Sequence, residues 1–330
     1  MEDRKKDHIH MAFKASVDKM LVDNRFMYEP LLAAHPNQDL APFQFLGKTM
    51  KNPFWISSMT GGTQNAACIN SKLAKVANEF GLGMGLGSCR VLLDSDDHWN
   101  DFKVRSIIGN QYPFFSNLGI AQVENLVEKG EVEKIDLLNK QLDTDGTIIH
   151  INPFQEAFQP EGDRIKHPPI ETIQKLLEET KYPVIVKEVG QGMGYESLKA
   201  LLKLNVAAIE FGAFGGTNFT KLEQMRRENP HSLSENFAHI GHTAHDMVLM
   251  VNQITEETET QCKQIIISGG IKSILDGFYL HKISKIPSVI GMASLFLQYS
   301  LKDYEHLKNM VENMAEAWLL AENYLRVRSI

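Results

Sequence analysis

The sequence predicts a (β/α)8 barrel (TIM barrel) with an N-terminal extension and a long C-terminal helix. Three observations favour this fold. Eight short apolar segments alternate with helix-like segments, which is typical of a parallel sheet. The alternation spans roughly 250 residues, the usual size of such a barrel. No glycine-rich dinucleotide fingerprint follows the first strand, which disfavours the alternative, an open doubly wound sheet.

The elements follow in order along the chain. Residues 1–50 precede the first strand and are expected to form an arm. The strand candidates lie at 53–58, 82–87, 113–117, 147–152, 183–188, 206–212, 264–269 and 287–292. Helical patterns lie at 65–79, 170–180, 195–204, 244–257 and 274–285, with a weaker one between the third and fourth strands. No linker interrupts this order, so a single domain over 1–330 is expected.

Two further segments have predicted roles. The polar connection 217–243 follows the sixth strand, and a connection of this length is often a lid or a binding loop. The last pattern, 295–327, predicts one long helix that caps the barrel or serves contacts between subunits.

Composition narrows the function. The 330 residues carry a net charge of −7, which disfavours a nucleic-acid binder. The three cysteines, Cys68, Cys89 and Cys262, are widely spaced and support neither a disulfide framework nor a zinc cluster. The N-terminus has no apolar signal region, and no apolar run is long enough to span a membrane. A cytoplasmic protein without a membrane partner is expected.

The carboxyl ends of the strands, where such barrels build their active sites, carry glycines and polar side chains. The turns SGGI (268–271) and GMA (291–293) close the seventh and eighth strands, where backbone N–H groups often bind phosphate. FMN would suit this arrangement. Lys187 ends an apolar strand and either faces such a cofactor or forms a salt bridge with a glutamate.

The most specific segment is HINPFQEAFQPEGDR (150–164). Together with RKKDH (4–8), MTGG (59–62), NLG (117–119), PVIVKEVGQGM (183–193) and GGTNF (215–219), it resembles the type 2, FMN-dependent isopentenyl diphosphate isomerases over most of the chain.

The resemblance implies interconversion of isopentenyl and dimethylallyl diphosphate with reduced FMN as acid–base cofactor, Mg²⁺ bound by Glu156, and NADPH as reductant. It implies Gln155 as the catalytic residue. It implies substrate contacts from Arg4, Lys5, His8, Ser88, Arg90, His150, Asn152 and Gln155. It implies FMN contacts from Met59, Thr60, Gly61, Ser88, Asn117, Lys187, Thr217, Gly269, Gly270, Met292 and Ala293. It also implies a homo-oligomer, a tetramer or an octamer.

Two departures from the family pattern leave alternatives open. Cys89 stands where the family usually has glutamine, and Ile240–Thr243 replaces a WGIPT-like stretch. The alternatives are an FMN-dependent 2-hydroxy-acid oxidoreductase and a non-catalytic flavin-binding barrel. Zinc bound by His239, His242 and His245 is disfavoured, because no further ligand completes such a site.

Overall fold

Eight parallel strands form a closed barrel in the computed structural model, which describes residues 2–58, 65–95, 97–226 and 235–328. The barrel strands are β4 (Phe54–Ile56), β5 (Gly83–Gly85), β6 (Phe114–Gly119), β7 (Gly146–Ile151), β8 (Val184–Glu188), β9 (Ala208–Glu210), β10 (Ile265–Ser268) and β11 (Ser288–Met292). Each strand falls within or beside its predicted segment. β11 pairs with β4 and closes the barrel. The predicted fold class is therefore confirmed.

Helices surround this barrel. Those before β8 are α1 (Glu2–Met11), α2 (Ala66–Phe80), α3 (Trp99–Phe102), α4 (Arg105–Ile108), α5 (Ile120–Lys129), α6 (Glu133–Leu142), α7 (Pro153–Phe158) and α8 (Pro169–Glu179). Those after it are α9 (Tyr195–Leu202), α10 (Phe219–Arg226), α11 (Ala244–Glu257), α12 (Ile274–Ile283), α13 (Ser294–Ser300) and α14 (Tyr304–Tyr324). The weak pattern between the third and fourth strands is thus two helices, α5 and α6.

A short hairpin closes the amino-terminal end of the barrel. Its strands are β2 (Phe43–Phe45) and β3 (Lys48–Met50), which pair antiparallel. Phe45 and Met50 are fully buried, and they belong to one apolar cluster with the inward-facing residues Trp55, Phe115 and Ile148. This hairpin is a part of the fold that the sequence pattern did not predict.

The C-terminal segment corrects the prediction of one continuous helix over 295–327. The chain turns between α13 and α14, where Asp303 accepts a hydrogen bond from the backbone N–H of His306 and so caps a new helix. After α14, β12 (Leu325–Val327) pairs antiparallel with β1 (Phe26–Tyr28). Trp318 of α14 packs edge-on against Phe54 at 5.5 Å, which fixes α14 against the outside of the barrel.

The N-terminal arm is exposed along residues 4–24. It joins the barrel at Arg25, whose guanidinium lies 2.8 Å from the carboxylate of Asp276 at the start of α12. In the described part of the chain, no helix is both long enough and apolar enough to cross a membrane.

Candidate active site

A cavity of about 250 Å³ opens at the carboxyl ends of the strands. Six of the predicted FMN residues line it: Lys187, Thr217, Gly269, Gly270, Met292 and Ala293. Ser88 and Asn117 do not line it, and Met59, Thr60 and Gly61 lie outside the described residues. The structure therefore brings together most of the predicted cofactor residues that it describes.

The wall of this cavity is bare backbone at two turns that touch each other. Gly269 has φ +90°, and a Cβ there would lie 2.1 Å from the carbonyl oxygen of Ala213. Gly215 has φ +109°, and its Cβ would lie 3.1 Å from the Cα of Gly270. Only glycine allows both the conformation and this approach. An anion at this wall would meet main chain rather than side chains.

The helix after SGGI is less available to an anion than expected. Ser273 and Asp276 form a capping box, so the carboxylate of Asp276 already accepts backbone N–H bonds at the start of α12. Arg25 pairs with the same carboxylate. The turns themselves, together with Lys272 and Ser294 at the cavity wall, are the better phosphate partners.

Three titratable side chains lie side by side at the inner wall. His150, Lys187 and Glu210 are register neighbours on β7, β8 and β9. Burial, and then the charge of Lys187, lowers the pKa of His150 from 6.5 to about 4, so its imidazole is neutral near pH 7. Nδ1 of His150 lies 2.7 Å from Oδ1 of Asn117, which orients the ring. Asn117 therefore acts beside His150 rather than at the cavity wall.

The segment that follows β7 folds into α7 and concentrates the amides and carboxylates of the specific motif. Asn152 donates to Oε1 of Gln155 at 3.2 Å and to Oε1 of Glu156 at 2.9 Å. The backbone N–H of Asp163 donates to the other Glu156 oxygen at 2.7 Å. The motif thus folds back on itself, and one hydrogen-bonded network holds Gln155 and Glu156.

Glu223, whose carboxylate lies near the amide of Gln155, is not among the residues predicted from the sequence. Nε2 of Gln155 lies 3.5 Å from Oε1 of Glu223 on α10. The Glu223 side chain is only 3% exposed and pairs with Arg226 at 2.6 Å. The sequence signal that could have identified Glu223 is its position in the helix that begins directly after GGTN, because that turn lines the cavity.

The predicted diphosphate residues fall into two groups. Arg90 lies by the motif, because its Nη1 is 2.8 Å from Oδ2 of Asp163, and Ser88 is exposed beside it. Arg4, Lys5 and His8 are exposed on α1, and no hydrogen bond or ion pair to the barrel is found for them among the described residues. The structure does not bring these three to the site.

The two departures from the family pattern lie beside the cavity rather than in it. Cys89 is fully buried, its thiol faces the carbonyl of Gly87 at 3.4 Å, and burial raises its pKa to about 12. Ile240, Gly241 and His242 line a second recess next to Gln155. No group of three or more His, Cys, Asp or Glu side chains suited to a metal occurs within the described ranges.

The donor set fits FMN and, with substrate present, Mg²⁺. The glycine turns leave room for a phosphate, and Lys187 supplies a cation at the same cavity. Mg²⁺ usually takes one or two carboxylates and completes its shell with phosphate oxygens and water. Glu156, a single carboxylate held in place by Asn152 and Asp163, matches that pattern.

Curated relatives decide the family. The chain is 33% identical to the isopentenyl-diphosphate delta-isomerase of Rickettsia peacockii over 302 residues, which are 90% of this chain and 85% of that protein. The chain belongs to the isopentenyl-diphosphate delta-isomerase family. The enzyme of the same name from Rickettsia felis is 32% identical over the same length, covering 84% of that protein. The family predicted from the motifs is confirmed, and the chain is an enzyme of that family.

No family model matches the chain. Similarity to solved structures bears on the fold. The flavin-binding domain of baker's yeast flavocytochrome b2 superposes with a TM-score of 0.59 at 11% identity, over 90% of this chain and 71% of that one. A mandelate oxidase variant with an FMN adduct gives 0.56 at 12%, over 91% and 83%. Identities this low show the barrel fold alone.

Proposed function

We propose that this isomerase family member interconverts isopentenyl and dimethylallyl diphosphate, with reduced FMN as acid–base cofactor and Mg²⁺ as the diphosphate counter-ion. The network around Gln155 is the observation that carries the proposal. It places an amide between Asn152 and Glu223, next to a cavity whose glycine turns suit the FMN phosphate. The 2-hydroxy-acid alternative has only the shared fold in its favour.

The reaction adds a proton at one carbon and removes another elsewhere, with no net oxidation. Reduced FMN, when bound, supplies this acid–base chemistry. Gln155 orients the isoprenoid carbons, because its amide is fixed at both ends by Asn152 and Glu223. Glu223 is the carboxylate placed to hold a proton beside that amide, and Arg226 fixes its other oxygen.

The diphosphate is bound beside the same network. Glu156 would hold Mg²⁺, which prefers phosphate oxygens, with Asn152 next to it. His150, two residues before Asn152 on β7, would also contact the diphosphate. Arg90 reaches the same place once it exchanges its contact with Asp163 for the substrate. These positive charges are concentrated at one site, so a protein with a net negative charge can bind a negatively charged substrate there.

The N-terminal arm completes this site in our proposal. Arg4, Lys5 and His8 lie on an arm that the structure leaves exposed, so the arm must move to reach the diphosphate. Its apolar side chains, among them Phe13 at 93% exposed, are typical of a surface covered by another subunit. A tetramer or an octamer in the cytoplasm is consistent with these features and with three free cysteines. Light scattering of the purified protein tests the assembly.

The direct test is conversion of isopentenyl diphosphate with FMN and Mg²⁺, with and without NADPH, under anaerobic conditions. Dimethylallyl diphosphate formed only when the flavin is reduced supports the proposal. Flavin reduction by a 2-hydroxy acid, without isomerisation, assigns the chain to the oxidoreductases. FMN binding with neither activity indicates a non-catalytic barrel.

Replacing Gln155 by alanine should lower kcat by roughly 100-fold or more, because a misplaced reacting group costs about that much. FMN affinity should stay unchanged, since Gln155 does not line the cofactor cavity. Steady-state kinetics and FMN titration measure the two effects. Gln253→Ala, an exposed glutamine on α11, is the matched control. A kcat within threefold of the unaltered enzyme would exclude this role for Gln155.

A further inference from the structure

Glu210 is a buried acid that the proposed mechanism does not use. It ends β9, is 0% exposed and lines the same cavity as Lys187. Within the described part of the chain, neither of its carboxylate oxygens has a hydrogen-bond partner. Nε1 of Trp55 and Oγ of Ser57 are also buried without partners. A native interior rarely leaves so many polar atoms unpaired in one place.

The surroundings of Glu210 are rich in hydrogen-bond donors. Burial raises the pKa of Glu210, and the charge of Lys187 followed by the facing groups of Ser57, Ser268 and Trp55 opposes that rise by favouring the ionised carboxylate. An ammonium and an indole N–H can only donate, so they suit a carboxylate rather than a protonated acid. His150 is the next titratable group along the wall and is neutral near pH 7, so it adds no competing charge.

Ser57, Ser268 and Gly291 line the same cavity as Glu210 and Lys187. A Cβ at Gly291 would lie 2.7 Å from Oγ of Ser57 and 2.8 Å from Cβ of Ser268, so only glycine lets these two side chains pack against the strand here. The two hydroxyl groups near Glu210 are therefore held in place by packing against bare backbone.

Lys187 is the other half of this arrangement. Its Nζ donates to the carbonyl oxygen of Glu188 at 2.8 Å, and within the described residues no carboxylate lies within ion-pair distance of it. Register pairing nevertheless places Lys187 next to Glu210 on the same inner wall. Burying an ammonium is costly, and the charge of a neighbouring carboxylate offsets part of that cost.

We propose that Glu210 is a positioning residue that acts through Lys187: the ionised carboxylate offsets part of the positive charge that Lys187 presents to a bound flavin. This inference rests on the proposed FMN site. It makes Glu210 a determinant of the electrostatic potential at the flavin through its effect on Lys187.

The test is the reduction potential of FMN bound to Glu210→Gln. Removing the negative charge leaves Lys187 less compensated, so anionic reduced flavin should be favoured at least tenfold, which is about 30 mV for a two-electron couple. The pKa of the reduced flavin, read from its absorbance, should fall in parallel. Glu210→Asp keeps the negative charge, so its preference for anionic reduced flavin should stay within threefold of that of the unaltered enzyme. An unchanged or lower potential in Glu210→Gln overturns the proposal.

A double-mutant cycle separates action through Lys187 from a merely structural role. In Lys187→Met, Glu210 loses its cation and takes up a proton, so adding Glu210→Gln should then leave the potential unchanged. An equal shift in both backgrounds contradicts the coupling. If Glu210→Gln does not fold, the proposal is tested instead by the infrared difference spectrum between FMN-loaded Lys187→Met and the FMN-loaded unaltered enzyme. One additional protonated-carboxyl band supports the proposal, and its absence overturns it.

These outcomes are distinct from those of the proposed function. A chain that fails to bind FMN removes the basis for both. A chain that binds FMN and isomerises its substrate, yet shows no shift in Glu210→Gln, loses only the role of Glu210.

Discussion

The surroundings of the His150 ring determine which of its two nitrogens carries the proton. Its ring is oriented by Asn117 and packed over Gly119, where a Cβ would lie 2.9 Å from Nε2. A neutral imidazole bonded to Oδ1 of Asn117 carries its proton on Nδ1, which leaves Nε2 as an acceptor. A diphosphate would therefore favour uptake of a proton by His150 on binding.

The same residue predicts a pH dependence of stability. Its folded pKa of about 4 lies below the ordinary 6.5, so the unfolded chain binds the extra proton as pH falls through this window. Stability is thus lost from pH 6.5 towards pH 4. Between pH 7 and pH 5 the loss should be about 2 kcal/mol at about 1.4 kcal/mol per pKa unit.

Urea denaturation at the two pH values measures this loss. His150→Gln should lack this contribution, whereas His10→Gln, on the exposed arm, should keep it. Equal losses in all three proteins would show that His150 is not the group responsible.

The residues that the sequence predicted for the site and those that it did not predict differ in a physical way. Gln155 and Glu156 belong to a local motif, so they could be predicted from their neighbours in the chain. Glu210 and Glu223 depend on contacts between strands or helices distant in sequence, namely register pairing with Lys187 and the approach of α10 to α7. A single sequence does not display such contacts.

At the scale of elements, an aromatic contact fixes α7. The ring of Phe237 lies 5.2 Å from that of Phe154 and 5.6 Å from that of Phe158, which flank Gln155 and Glu156 on one helical turn. Gln191 holds the same segment by donating to the carbonyl of Phe237 at 2.9 Å. The segment before α11 therefore braces the helix that carries Gln155.

Phe237→Ala should release α7 and lower kcat by roughly tenfold or more, since small misplacements of reacting groups are costly. KM for Mg²⁺ should rise as well, because Glu156, the proposed Mg²⁺ ligand, is on the same helix. Phe237→Leu should restore most of the activity. Met225→Ala, at an exposed position on α10, serves as the control. Loss of FMN binding in Phe237→Ala would instead indicate general damage to the barrel.

Element prediction succeeded where strands alternate with helices and failed outside that alternation. The eight barrel strands are apolar and separated by helical patterns, so all eight were predicted. The strands of the hairpin and of the β1–β12 pair lie outside this alternation, and Phe26 pairs with Val327 from the far end of the chain. The break before α14 was hidden because apolar residues continue across it, although Asp303 offered a capping signal.

For the whole molecule, the hairpin at the amino-terminal end is a stability determinant. Phe45→Ala should destabilise the fold by about 3–5 kcal/mol, because it empties a fully buried aromatic position. Chemical denaturation measures this loss. Leu137→Ala, at an exposed position on α6, should change stability by less than about 0.5 kcal/mol. A small effect of Phe45→Ala would mean that the barrel interior is closed without the hairpin.

The same hairpin has a kinetic consequence. Phe45 and Met50 plug one end of the barrel, so every small molecule must enter and leave at the other. In the proposed reaction, both isomers carry the same diphosphate and have the same size. The product therefore leaves through the same open end of the barrel by which the next substrate must enter. We expect each isomer to inhibit conversion of the other competitively, and net flux to depend on how quickly a later reaction consumes the product.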